Sequence, residues 1–274
     1  MSELIGWQCG HESCYGWLWR NGAWQALQKS IFYSGPSESY PVAMNDHGQI
    51  VGHRPTHAWG ENRIFHAFLW QDDSISDLGV LAPWGCGVFG DCSWAFATSI
   101  NENGQIVGMS SDANGNDHFV FWDQGTIKDL GLYHHYNAPY VYWVPERAFI
   151  NDRGQIAASA EGQAYFWSNG NRQVIGSPGS LVDIAGINEN GEVVGTIQIG
   201  TGEQHAFVWS QNRGMVDLGT GPHGFSAAWA VGINAKGDVL GFTAPCDVNA
   251  YQHCAAPRES RAILWRNMQT EASR

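Results

Sequence analysis

The sequence predicts an all-β protein: a single β-propeller of four-stranded antiparallel blades spanning residues 1–274. Three observations carry that expectation. A hairpin-like stretch, Ile187-Asn188-Glu189-Asn190-Gly191-Glu192-Val193-Val194-Gly195, returns in variant form along the chain. Short apolar runs ending in Trp recur at positions 19, 70, 122, 167, 209 and 265. No segment shows a helical period. Units of about 40 to 55 residues that cannot bury both faces alone read as blades stacked on one another.

The first two strands of each unit flank an Asn-X-X-Gly corner. It occurs as Asn45 to Gly48, Asn101 to Gly104, Asn151 to Gly154, Asn188 to Gly191 and Asn234 to Gly237. Asn can hydrogen-bond its own backbone and Gly accepts a positive φ, so the corner reads as a tight hairpin between strands a and b. The Trp-terminated runs have bulky groups on both faces and read as strand c, buried on two sides. A Gly or Asn turn then leads to strand d, ending Asp77-Leu78-Gly79, Asp129-Leu130-Gly131 or Asp217-Leu218-Gly219. Residues 4–27 supply b, c and d but no a, whereas the last unit supplies a, b and c. Such complementary deficits suit a ring closed by its N- and C-terminal strands. Six Trp-ended strands against five corners favour six blades over five.

The units resemble the HAF extracellular repeat family, through His66-Ala67-Phe68 and His205-Ala206-Phe207. The resemblance covers roughly residues 4–265 and implies a repeat architecture and, often, an exported protein. It brings no catalytic residues. The third copy departs from it, with Gln163-Ala164-Tyr165 and no Asp-Leu-Gly.

Net charge is −12 with 14 basic residues, which argues against nucleic-acid binding and against an anionic membrane surface. No apolar stretch approaches a membrane span, so no membrane insertion is expected. The residues at the start do not form a secretory signal. The chain is therefore extracellular or periplasmic if a signal was removed, and cytoplasmic otherwise. The cysteines fall as Cys9/Cys14, Cys86/Cys92 and Cys246/Cys254. Local pairing into three disulfides is the simplest reading and favours an oxidising compartment; metal binding is the rival, without a Cys-X-X-Cys spacing to support it.

The long connections run from b to c (7–14, 53–65, 109–117, 196–204, 243–260) and from d to a (28–40, 80–94, 132–146, 220–228). In an up-and-down sheet both kinds leave the same end, and loops on a rigid scaffold commonly carry binding residues. Aromatic rings with polar rims suit stacking on sugars or planar ligands. The expected ligand-binding residues are Arg54, Trp59 and Arg63 (beside His53), Trp84 and Trp94, Tyr140, Tyr142, Trp143 and Arg147, and Phe225. Counting back five residues from each repeat Asn adds Tyr40, Phe96, Glu146, Asp183 and Trp229 at the start of strand a.

Two readings of that face follow. One is binding of a carbohydrate or other small molecule. The other is an enzyme, a glycan hydrolase or lyase or a small-molecule cyclase, with Glu146 or Asp183 working with His134, His135 or His223 as acid and base. A protein-interaction scaffold is a third. His66, His118 and His205 occupy equivalent positions in different units, as do Asp77, Asp129 and Asp217, so both sets read as structural. No nucleophile elbow, zinc helix, phosphate loop or dinucleotide fingerprint occurs, and neither a cofactor nor a metal is expected. Asp112 to Asp117 holds several oxygen donors but lacks the twelfth-position Glu of an EF-hand.

Overall fold

The computed structural model describes residues 3–9, 14–27, 38–55, 64–81, 93–133, 147–160, 162–176, 181–200, 203–221, 225–245 and 260–266. It is all-β, and its contacts divide the chain into two compact units, Met1–Val141 and Tyr142–Arg274.

Unit 1 holds three antiparallel sheets. The first is three-stranded: β1 (Leu4–Cys9), β2 (Cys14–Arg20) and β3 (Ala23–Ala26). The second runs β4 (Tyr40–Met44), β5 (Ile50–Pro55), β6 (Phe65–Gln71), β7 (Ser74–Asp77). The third runs β8 (Ala95–Ile100), β9 (Ile106–Ser111), β10 (Asp117–Asp123), β11 (Thr126–Tyr133). Each four-stranded sheet is a meander, the expected a-b-c-d order.

Unit 2 continues the pattern with β12 (Arg147–Ile150), β13 (Ile156–Ala160), β14 (Gln163–Ser168) and β15 (Asn171–Ile175). Next come β16 (Val182–Ile187), β17 (Val193–Ile199), β18 (Glu203–Ser210) and β19 (Gly214–Gly219). Last are β20 (Ala227–Ile233), β21 (Val239–Ala244) and β22 (Arg261–Trp265). One parallel bridge, Gln204 to Ala227, links β18 with β20.

Apolar residues on both faces of the central strands are explained by stacking within each unit. Ile50, Phe68 and Trp70 pack with Leu18 and Leu27 of the first sheet. Their neighbours Val51 and Ala67 turn the other way, onto Ala95, Ala97, Val120 and Trp122 of the third sheet. In unit 2, Val193, Phe207 and Trp209 meet Phe166 and Ile175, while Val194, Ala206 and Val208 meet Ala228, Ala230 and Val239. Each such Phe, wholly enclosed like Phe207, contributes about 1.5–3 kcal/mol. The closing Trp of strand c also ties one sheet to the one before it: Trp70 Nε1 donates to Leu27 O (2.9 Å) and Trp265 Nε1 to Leu218 O (3.1 Å).

The Asn corners form a second ladder. Gly48 N donates to Asn45 O at 3.0 Å with Gly48 at φ 75°, a type I turn with a left-handed Gly. Asn45 Oδ1 accepts from Gln49 N, and Asn45 Nδ2 donates both to Gln49 Oε1 and to Asn101 O of the next sheet. Asn151 donates likewise to Asn188 O (2.9 Å), and Asn188 to Asn234 O (3.0 Å). Glu102 and Glu189 reach back to accept from the backbone N–H of Asp46 and Asp152. The repeat motif therefore closes its own hairpin and staples it to the next.

The repeat's terminal Gly has a separate cause. Strand a bulges, with register shifts at Pro41/Ala43, Ala97/Ser99, Ile184/Gly186 and Ala230/Gly232. The bulge drives a carbonyl onto strand b, so a Cβ on Gly52, Gly108, Gly195 or Gly241 would lie 2.0, 1.9, 1.9 or 2.3 Å from the O of Tyr40, Phe96, Asp183 or Trp229. The third copy has Ala158 at this position, and its β12–β13 ladder runs without a shift.

Two expectations need correction. The b-to-c connections predicted as long at 109–117 and 196–204 are tight, because β9 continues to Ser111 and β17 to Ile199. The first closes on Asp112, whose Oδ1 accepts from Asn114 N and Asn116 N, both at 2.8 Å. That carboxylate serves the turn. Burial opposes its charge, but the hydrogen bonds from Asn116 and Asn114 hold its pKa well below the usual range.

Candidate functional site

Bulge and register together set which residues begin strand a at the end away from the Asn corners. Tyr40 lies opposite His53, Phe96 opposite Met109, Asp183 opposite Thr196 and Trp229 opposite Phe242. In the third repeat the residue in this register is Arg147, opposite Ser159. The expectation of Glu146 there comes from counting back five residues in every copy; without the bulge the count is four.

In unit 1 these positions gather an aromatic cluster. Tyr40 stacks on His53 (centroids 5.2 Å, planes 11° apart), and His53 meets the Phe96 ring at 4.6 Å and 72°. Phe65 lies 6.1 Å from Tyr40, 5.6 Å from His53 and 5.9 Å from Phe96. Trp94 extends the cluster past Phe96 at 5.2 Å, and Trp7 extends it past Tyr40 at 6.0 Å. Trp7 is 57% exposed, so the cluster ends in a ring with a face open to solvent. Tyr40 Oη donates to Glu38 Oε2 at 3.3 Å, which gives the cluster one buried carboxylate.

Of the expected ligand-binding residues, Tyr40, Trp94 and Phe96 are thus brought together. Trp7 and Phe65 are additions that the sequence reading missed. Phe65 could have been found as the residue just ahead of the His-Ala-Phe motif, opposite Pro55 at the end of β5.

Arg54 does not join the cluster. Successive side chains of a strand point to opposite faces, and Arg54 lies opposite His66. There His66 Nδ1 meets Asp77 Oδ2 at 2.9 Å, and Asp77 Oδ1 accepts from Gly79 N. Burial would raise the Asp77 pKa. The His66 and Gly79 hydrogen bonds, with the charges of His66 and Arg54, outweigh it and hold the carboxyl low. His118 with Asp129 and His205 with Asp217 repeat the pair at 2.9–3.0 Å. These His and Asp residues join strand c to strand d within one sheet. Among the described residues no cluster of three or more His, Cys, Asp or Glu could hold a metal ion.

His53 is the imidazole inside the cluster. Burial lowers its pKa from 6.5 to about 4, and its Nδ1 is buried without a hydrogen-bond partner. A folded-state pKa below the unfolded value means that His53 favours the native state fully above about pH 6.5. That contribution falls away as pH drops towards 4, by roughly 3 kcal/mol in all. Urea unfolding at pH 7.5, 5.5 and 4.5 checks this: His53→Gln should lose less stability over that range than the parent chain. Parallel losses would contradict it.

In unit 2, Asp183 is exposed and accepts from Ser159 Oγ at 2.9 Å, while Ser159 Oγ accepts from Ile184 N at 3.0 Å. Trp229 stacks on Phe242 at 4.9 Å, and the Arg261 guanidinium lies 5.6 Å over the Phe225 ring. Glu146, His134, His135, His223, Trp59, Arg63, Trp84, Tyr140, Tyr142 and Trp143 lie outside the described residues. So do Cys86, Cys92, Cys246 and Cys254. Cys9 and Cys14 are register partners joined by a disulfide, with Cα atoms 3.9 Å apart. Among the described residues no helix is long and apolar enough to cross a membrane.

No family model and no curated protein matches this sequence. Solved structures do resemble it. A puromycin hydrolase aligns with a TM-score of 0.59 at 11% identity, over 96% of this chain and 42% of its own. TolB from Acinetobacter baumannii aligns at 0.47 and 12%, over 87% and 55%. The β-propeller domain of the Trilobed protease from Pyrococcus furiosus aligns at 0.45 and 14%, over 76% and 59%. The chain thus spans about half the length of these structures. At such identities the likeness concerns the fold alone.

Proposed function

We propose that the protein binds a carbohydrate or another small ring-bearing ligand at the loop end of unit 1. The observation that carries this reading is the run of ring contacts from Trp7 through Tyr40, His53, Phe65 and Phe96 to Trp94. The rings come from three successive sheets, at the end opposite the Asn corners, and finish in the solvent-open face of Trp7. The open face of Trp7 offers the C–H side of a sugar a surface to stack on, next to the Tyr40 ring.

We infer, too, a six-bladed propeller of HAF-type repeats, its ring closed by the N- and C-terminal strands. Support comes from apolar outer faces that those sheets retain: Leu4 and Trp24 on one, Leu240 and Leu264 on the other, each about half exposed. Equivalent faces of the second and fifth sheets are buried by a neighbour within the same unit. The Cys9–Cys14 disulfide supports export to an oxidising compartment.

A screen of neutral and charged glycans and of aromatic metabolites, followed by calorimetry, tests the binding reading. Trp7→Ala should weaken the best ligand about three- to tenfold, the value of one aromatic stacking contact, with the melting temperature unchanged. Undiminished affinity in Trp7→Ala would remove this platform from the site.

A further inference from the structure

The three positions that hold Tyr40, His53 and Phe96 in unit 1 have counterparts in unit 2. Arg147 lies opposite Ser159 as Tyr40 lies opposite His53. Asp183 of the next sheet meets Ser159 just as Phe96 meets His53. The backbone frame is thus shared, and its contents change from three rings to a guanidinium, a hydroxyl and a carboxylate.

The two charged side chains of this set are exposed. The Arg147 side chain is exposed, and among the described residues no carboxylate pairs with it. Ser159 occupies Asp183 Oδ1 and leaves Oδ2 to accept from a ligand. Ser159 itself is buried and held by Ile184 N, which fixes the Asp183 carboxylate in place. Arg147 and Asp183 therefore both adjoin Ser159, one across the ladder and one through its hydroxyl.

We propose that Arg147, Ser159 and Asp183 form a subsite for an acidic saccharide: the guanidinium takes a uronate carboxylate, and Asp183 accepts from a ring hydroxyl. This rests on the saccharide reading above, extends it to a second site within unit 2 and gives that site's ligand class. A planar fork recognises a carboxylate in bidentate fashion, which an ammonium does not reproduce. The chain carries −12, so its overall field repels anions, and selection for one requires a local cation. Among the five residues that open strand a in this register, Arg147 is the cation.

The test compares an oligogalacturonate with its fully methyl-esterified form by calorimetry, using the whole protein. The free acid should bind roughly ten- to a hundredfold more tightly than the ester, as expected for a hydrogen bond to a charged group. Arg147→Gln should abolish the preference for the acid over the ester. Arg147→Lys should restore part of the preference. Melting temperature should not move in either variant, because the side chain is exposed.

Equal affinity of acid and ester, or a preference that survives in Arg147→Gln, overturns the subsite and leaves the saccharide reading standing. Free glutamate binding in place of both sugars also overturns it, since the pair would then be reading a zwitterion. Failure of acid, ester and every glycan in the screen sinks both together.

Discussion

Gly195→Ala is expected to destabilise unit 2 by about 3 kcal/mol or more, beyond the usual range for one added methyl in a packed interior. The new Cβ would lie 1.9 Å from Asp183 O and 2.9 Å from the Phe207 ring, so the backbone would have to move. The bulge between Ile184 and Gly186 puts that carbonyl there, and Ala at the equivalent position is tolerated only where the bulge is missing. Ala158→Gly should therefore cost only about 1 kcal/mol, through backbone entropy. Urea midpoints of the two variants measure the contrast; similar small losses would mean that the bulge does not impose glycine.

Asn188→Ala should cost about 2–4 kcal/mol, because Asn188 is buried and makes four hydrogen bonds. Its Oδ1 accepts from Asn190 N and Glu192 N, and its Nδ2 donates to Glu192 Oε2 (2.7 Å) and to Asn234 O (3.0 Å). Removing the amide leaves buried donors without partners and cuts the tie to the next hairpin. Asn234 offers a control within the same chain. It is exposed and, among the described residues, its side chain bonds only inside its own corner, through Lys236 N, Asp238 N and Asp238 Oδ2. Asn234→Ala should therefore cost about 1 kcal/mol. Chemical unfolding of both variants decides the matter, and equal losses would show that the inter-sheet bond contributes little.

Much of the fold was legible because the repeat writes its physics into residue types. Asn with Gly three residues later marks the corner, and bulky residues on both faces of strand c mark a sheet covered twice. His66 and Asp77 were read as structural from their recurrence. Their mutual hydrogen bond was not, because cross-strand partners depend on register. Register also hid part of the site. Counting back from the corner residue Asn151 leads to Glu146 if a bulge is assumed, and Ala158 in place of Gly was the available sign that the bulge is absent. The aromatic cluster was half visible: Tyr40 and Phe96 follow from the count, but Trp7 and Phe65 reach it from other strands. Loop lengths failed at Asp112, since a polar stretch reads as a loop whether or not its carboxylate closes a turn.

A crystal structure of the protein soaked with the best saccharide from the screen tests the placement of the site most directly. Density for the sugar over Trp7 and Tyr40 is the predicted result. Sugar bound at the Asn-cornered end, beside Asn45 and Asn101, or an aromatic cluster left bare in a saturated crystal, would contradict it.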